Sequence, residues 1–289
     1  MVSIILPTYK EPYLNKTLKS LLDGAEDIEI IPVIDYYKLE EPIIEDPRIK
    51  PIILEKNKGM RGAINEGLKV ATGEYVMKID AHCVIEKGYD KALTGHPVNW
   101  LMIPRRYPLI EETWDRDMKG RIKDYHYLTF PGTDDPKYGY SFQVQPLKRE
   151  GPDIDDTMTF QGSCWLANRK YFMEHVGFLD DTNYGTFAQE QQEIGLKYWL
   201  GGGMVKVNKN IWYAHLFKKG RHYESGKFST RNKKDKAQIM GNEYSTKHWM
   251  NNEEPNTIHP FSWLIEKFMP LPGWSYNWRE IYETTSNLR

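Results

Sequence analysis

Along the first hundred residues, continuous apolar runs alternate with segments whose apolar positions recur every three or four residues. VSIIL (Val2 to Leu6) is such a run and stops at Pro7. Behind it, Leu14, Leu18, Leu21 and Leu22 share one helical face. Thr8 and Glu11 have capping-box spacing and predict where that helix starts; Gly24 predicts where it stops. IEIIPVID ends at Asp35 and IKPIIL at Leu54. A second helix then carries Ala63, Ile64, Leu68 and Ala71 and closes at Gly73, and EYVMKID is the fourth run. Strands apolar on both faces, alternating with helices, predict a mainly parallel sheet covered on each side.

Sheets of that kind bind ligands beyond the carboxyl ends of their strands. Thr8, Asp35, Asp80 and His82 all fall at such ends. Past WLMIP (Trp100 to Pro104) the periodicity weakens, and residues 105–157 read as loops with an edge hairpin. Order returns in TFQGSCWLANRKYFMEHVGF. A helix over 189–200 follows, stopped by three glycines, and then two short strands, MVKVN and IWYAHL. Residues 218–236 (KKGRHYESGKFSTRNKKDK) are basic and poor in large aliphatics, which predicts a mobile loop. A helix to Met250 and an aromatic tail end the sequence, and no internal repeat is present.

The 289 residues are 40% hydrophobic and 27% charged, with a formal net charge of −1. No global field draws the chain to nucleic acid or to an anionic membrane. MVSIILPTYKEP lacks the basic start and cleavage site of a signal peptide, and no apolar run approaches the ~20 residues that span a bilayer. Cys83 and Cys164 read as two thiols rather than a disulfide. These features predict a cytoplasmic protein. Nine tryptophans and nineteen tyrosines supply material for a core and for a cleft that takes flat or sugar-like ligands.

The candidate chemistry lies in KIDAHCV. Residues two apart in an extended chain point the same way, so Asp80 and His82 can converge on one ion. A carboxylate oxygen with an imidazole nitrogen suits a borderline divalent metal such as Mn²⁺; Mg²⁺ and Zn²⁺ are also compatible. His215, in WYAHLFKKG at the end of a late strand, is the third candidate ligand. The plainer reading of Asp-x-His is a capping aspartate beside a hydrogen-bonded histidine.

VSIILPTYKEPYLNKTLKSLL resembles the opening of family-2 glycosyltransferases, nucleotide-sugar enzymes of GT-A fold. NKGMRGAINEGLKVATGEYVMKIDAH is similar to their second block, which ends in Asp-x-Asp; here His82 takes the last position. Asp-x-His followed by Cys resembles the polypeptide N-acetylgalactosaminyltransferases, a GT-A family that carries Mn²⁺. FQGSCWLANRKYF, FAQEQQEIGLKYWLGGG and AHLFKKG continue that similarity, which spans about residues 2–220 and echoes faintly to about 250.

The resemblance implies an α/β, Rossmann-like GT-A fold over residues 1–217, with a mainly parallel sheet flanked by helices. Residues 218–289 would form a basic loop and a C-terminal helical, aromatic extension packed on it. It implies a metal held by Asp80, His82 and His215, bridging the diphosphate of a nucleoside diphosphate sugar, UDP-sugar foremost. By the same resemblance Asp35 contacts the base with Thr8 nearby, and Gly162 and Trp165 line the donor sugar. Lys218, Lys219, Arg221 and His222 clamp phosphate, and Glu190 does acid–base work. Arg61 stands one turn before the position where the family carries an arginine and this chain has Ile64. Plainer readings stand beside these: Asp35 as a turn cap, Trp165 as core, Glu190 as a first-turn residue favoured by the helix dipole, 218–236 as a solvated face. Glu193 reads as structural or as bound to acceptor hydroxyls.

The activity implied is metal-dependent transfer to a hydroxyl of a glycan, a protein or a modified nucleic acid. One rival is a nucleotidyltransferase that makes nucleotide sugars, although LPTYKEP lacks the Gly-rich loop it calls for. The other is a non-catalytic polyanion-binding module, or a DNA-directed glycosyltransferase, using 218–236. Asp35-Tyr36-Tyr37 replaces the usual Asp-Asp-Gly-Ser, and Gln189-Glu190-Gln191 replaces the acidic pair of inverting members. The stereochemistry is therefore open between inversion and retention.

Overall fold

The computed structural model describes residues 1–132, 139–217 and 236–286. The first half alternates strand and helix: β1 (Val2–Thr8), α1 (Leu14–Gly24), β2 (Ile28–Ile34), β3 (Ile52–Ile53), α2 (Gly59–Val70), β4 (Tyr75–Ile79), β5 (Cys83–Ile85) and α3 (Tyr89–Leu93). Then come β6 (Trp100–Ile110), β7 (Asp115–Arg116), β8 (Tyr125–Leu128), β9 (Val144–Leu147), β10 (Ile154–Asp156), β11 (Cys164–Asn168) and α4 (Arg169–His175). The described chain ends with α5 (Glu190–Leu200), β12 (Met204–His215), α6 (Lys236–Met250), α7 (Phe261–Phe268) and α8 (Trp278–Ser286).

The main sheet runs β10-β12-β6-β11-β4-β1-β2-β3. β3, β2, β1 and β4 are parallel, as are β6 and β12; β11 joins the two groups antiparallel to both. Alternation along β1 sends Ile5 into one core cluster and Val2, Ile4 and Leu6 into the other. Helix α2 covers the first face with Ala63, Ile64 and Leu68, and α1 covers the second with Leu14, Leu18 and Leu21. α2 lies close on β1: a Cβ on Gly67 would come within 2.5 Å of Ile5 Cγ2. The C-terminal aromatics Trp249, Phe261, Trp274, Trp278 and Tyr282 join the same cluster as α2 and α5.

Three expectations change. The capping box does not form: Thr8 stays in β1 and its hydroxyl donates to Leu6 O, while α1 starts at Leu14 with no side-chain cap. MVKVN and IWYAHL are one strand, β12, with an irregularity between Asn208 and Trp212. IKPIIL contributes only two strand residues, at the sheet edge. Within 105–157, expected as loops with an edge hairpin, β6 runs on to Ile110 and folds back on β7, while β8 and β9 form a separate two-stranded sheet.

A buried carboxylate ties β2 to β1 and to the turn before β4. Glu29 accepts from Ser3 Oγ (2.6 Å), Lys50 Nζ (2.6 Å), Thr72 N (2.7 Å) and Thr72 Oγ1 (2.8 Å). Burial opposes its ionisation, but Lys50, Ser3 and Thr72 outweigh it and take the carboxyl from 4.5 down to about 2. Its stabilisation is therefore complete above pH 4.5 and is lost as pH falls from 4.5 towards 2. Glu29→Gln is expected to lower unfolding free energy at pH 7 by about 2 kcal/mol. It should also flatten the acid limb in that window, which urea melts at stepped pH will show.

Candidate active site at the strand ends

The site is assembled where β4 and β12 end and β5 begins. β5 runs antiparallel to β12 with Cys83 opposite His215, and Leu216 N donates to His82 O (3.1 Å). Asp80 N donates to Ser163 O (3.0 Å), which ties the same corner to the start of β11. This stitching brings residues 135 positions apart together. His82 Nε2 lies 3.1 Å from His215 Nε2, and Asp80 Oδ2 lies 3.2 Å from His215 Nε2 and 4.0 Å from His82 Nε2. Three ligand atoms, one from each residue, all fall within 4.8 Å of one another.

That donor set fits a divalent ion. Atoms each ~2.1 Å from a common ion lie ~3–4 Å apart, as these do. Burial pushes His215 down to about 3, so its imidazole is neutral and carries a lone pair. Burial would raise the Asp80 carboxyl, but Lys78 and the two histidines outweigh it and hold it well below the usual carboxylate range. His82 Nδ1 lies 3.0 Å from Glu11 Oε2, the carboxylate–histidine arrangement that orients metal-binding imidazoles.

Behind the triad, Lys78 bridges two carboxylates. Its ammonium donates to Asp80 Oδ1 (2.6 Å), Gly162 O (2.6 Å) and Glu190 Oε2 (3.4 Å). Burial opposes that charge, yet Asp80 and Glu190 hold the ammonium above its ordinary value. Trp165 Nε1 donates to Glu190 Oε1 (2.9 Å), and burial raises the Glu190 carboxyl against the pull of Lys78 and Trp165. Gly162 is required by close approach, since a Cβ there would meet Glu190 Oε2 at 2.8 Å. Beside them opens a cavity of about 230 Å³ bordered by Asp80, Glu190, His215 and the amides of Gln143, Gln161 and Gln192. A cavity of ~150 Å³ holds benzene, so this one has room for a six-membered sugar ring. Gln189 starts α5 with left-handed backbone (φ 56°) and is braced by Ser245 and Asn242 of α6.

Asp80, His82, His215, Gly162 and Glu190 thus come together. Other residues singled out in the sequence do not join them. Arg61 is fully buried: it pairs with Glu193 and donates to Ala188 O (2.7 Å) and Asp180 O (3.1 Å), leaving nothing for a donor phosphate. Glu193 is accordingly structural. Trp165 is buried core, stacked on Phe172 at 5.1 Å, and meets the site only through Glu190. Asp35 accepts from Lys58 N, Gly59 N and Asn57 Nδ2, capping α2 as the plainer reading expected. Thr8 is turned to Leu6 O. Lys218, Lys219, Arg221 and His222 lie outside the described residues.

Three residues escaped the sequence reading: Glu11, Lys78 and Arg106. A lysine inside the apolar run EYVMKID, two before Asp80, was the available signal for Lys78. Glu11 has the spacing of a helix cap, which hides its place beside His82. Arg106 interrupts an apolar strand, and nothing local marks its neighbour as His215.

Comparison with known proteins agrees with the geometry. The description "Glycosyl transferase family 2" matches residues 3–175. The chain is 26% identical over 275 residues to human polypeptide N-acetylgalactosaminyltransferase 10, covering 84% of this chain and 42% of that protein. It is 21% identical over 295 residues to mouse polypeptide N-acetylgalactosaminyltransferase 12, covering 92% and 48%. The chain spans less than half the length of these curated relatives. The crystal structure of GalNAc-T7 with UDP, GalNAc and Mn2+ superposes with a TM-score of 0.61 at 17% identity, over 76% of this chain and 44% of that one. S. aureus TarS 1-349 in complex with UDP-GlcNAc gives 0.50 at 18%, over 78% and 60%. These two likenesses establish the GT-A fold. With the family pattern covering more than half of its length, the chain belongs to glycosyl transferase family 2.

Proposed function

We propose that the chain is a metal-dependent glycosyltransferase that moves a sugar from a UDP-sugar to an acceptor hydroxyl. The observation that carries this is the convergence of Asp80, His82 and His215 beside a cavity the size of a sugar ring. The relatives and the fold neighbours, one solved with UDP, GalNAc and Mn2+ and another with UDP-GlcNAc, support the donor class.

Asp80, His82 and His215 would hold the ion, and two imidazoles in the set favour Mn²⁺ over Mg²⁺. A divalent cation there supplies positive charge against which a nucleoside diphosphate can leave. Glu11 fixes the His82 ring, and Lys78 occupies one oxygen of Asp80 so that the other faces the histidines. Besides Asp80, Glu190 is the carboxylate bordering the cavity, so we assign it the acceptor proton; burial raises its basicity towards that task. Amide side chains along the wall suit a neutral, polyhydroxyl ligand. We take residues 1–217 as the catalytic unit and 236–286 as a brace, because α6 orients Gln189 at the cavity edge. A reducing compartment, the cytoplasm, suits the two buried free thiols. The acceptor class, whether glycan, protein or modified nucleic acid, is set outside the features described.

The test is a panel of nucleoside diphosphate sugars with Mn²⁺, read as hydrolysis or transfer. Hydrolysis of a UDP-sugar above a chelated control is expected. Glu190→Gln should lower kcat about 100-fold while UDP binding holds. No metal-dependent turnover or binding of any nucleotide sugar would refute the proposal. Pyrophosphate release from a nucleoside triphosphate and a sugar phosphate would install the nucleotidyltransferase in its place.

A further inference from the structure

A buried cation with no carboxylate partner among the described residues stands on the opposite edge of His215 from the Asp80–His82 pair. Arg106, on β6 opposite Tyr213, is 4% exposed. Its Nη2 lies 3.4 Å from His215 Nδ1, its Nε is buried with no partner, and its side chain borders the cavity. Neighbouring Arg105 is paired with Asp124 (2.8 Å); Arg106 has no carboxylate partner among the described residues. Lys123 stands beside it: the Arg106 guanidinium lies 4.7 Å and the Lys123 ammonium 5.1 Å from the ring of Phe217, which is 48% exposed.

Asp124 is held by Arg105, and Asp80 meets the opposite edge of His215. Burial, with Arg106 and Lys123 reinforcing it, pushes His126 down to about 3. Burial, with Arg106 and Arg121, also lowers Lys123. The Tyr213 hydroxyl is bonded to Ser163 (2.7 Å). A desolvated guanidinium with no anionic partner is costly, and an anion that completes it offsets that cost. The planar guanidinium fork matches phosphate oxygens in two-point contact.

We propose that Arg106, with Lys123, forms an oxyanion site that takes a phosphate group of the substrate beside the metal ligands. Two sources supply that chemistry: the diphosphate of the donor and a phosphate carried by the acceptor. Naming the donor rests on the proposed function; the anion site itself does not.

The experiment is calorimetric titration of the whole chain with uridine, with UDP plus Mn²⁺, and with inorganic phosphate at saturating UDP. Wild type, Arg106→Gln, Arg106→Lys and Lys123→Gln are compared, with thermal melts to confirm folding. Arg106→Gln is expected to weaken either UDP or phosphate by about tenfold or more, to leave uridine unchanged, and to be partly rescued by Arg106→Lys. Lys123→Gln should act in the same direction, and it serves alone if Arg106→Gln fails to fold. Loss on UDP assigns the donor; loss on phosphate assigns a phosphorylated acceptor. Folded variants that bind both anions as wild type does would overturn the site. Should wild type bind neither uridine nor UDP, yet lose phosphate with Arg106, the site stands and the proposed donor falls.

Discussion

Asp80→Asn and His215→Ala are each expected to lower metal-stimulated turnover of a UDP-sugar by at least about 100-fold. Removing an outer partner of a metal ligand typically costs about 10–100-fold, and a ligand itself costs more. Each of the three residues offers one atom to the cluster, and the three atoms span 4.8 Å at most, so none substitutes for another. Glu11→Gln leaves the ligands in place and loosens only the His82 ring, 3.0 Å away. Its loss should fall inside the 10–100-fold band, roughly, and shrink as Mn²⁺ is raised. Turnover within a few-fold of wild type in Asp80→Asn, with the protein folded, would remove the strand end from the chemistry.

The second large effect is on stability. Arg61→Met is expected to cost about 3–5 kcal/mol, because it leaves Glu193 buried and short of its main counter-charge. Lys197 stays on the other oxygen at 2.8 Å, which keeps the cost within that range. Two carbonyl oxygens, of Ala188 and Asp180, lose their donor as well. Urea denaturation measures the loss, and UDP binding of the folded fraction should be unchanged. A loss below about 1 kcal/mol, combined with weaker UDP binding, would return Arg61 to the donor site that the sequence pattern gave it.

Continuous apolar runs made β1, β2 and β4 readable because both their faces are buried, and period-3.6 patterning made α1 and α2 readable because each covers one face of the sheet. Asp80 and His82 were singled out by i, i+2 spacing in an extended chain, but β4 ends at Ile79 and Ala81-His82 turn into β5, so the two converge through that turn. His215 was found through the family resemblance and its place at a strand end. What local pattern misses is competition for a side chain. Glu11 has the spacing of a helix cap, but His82, 71 positions away, takes one of its oxygens. Arg61 stands near the place of the family's arginine, but Glu193, 132 positions on, holds it. Lys78, Gly162, Trp165 and Glu190 come from β4, the turn before β11, β11 and α5, and their mutual bonds exist only once the sheet is assembled. The break in β12 was expected at its polar middle, VNKN, where the chain keeps pairing with β6 on either side of a register shift.

Direct Mn²⁺ binding, followed by the loss of the free-ion paramagnetic resonance signal, tests whether the strand ends grasp one cation. One site per chain is predicted for wild type, with His82→Ala and His215→Ala each losing it although they remain folded. Equal binding by both variants would contradict the assignment.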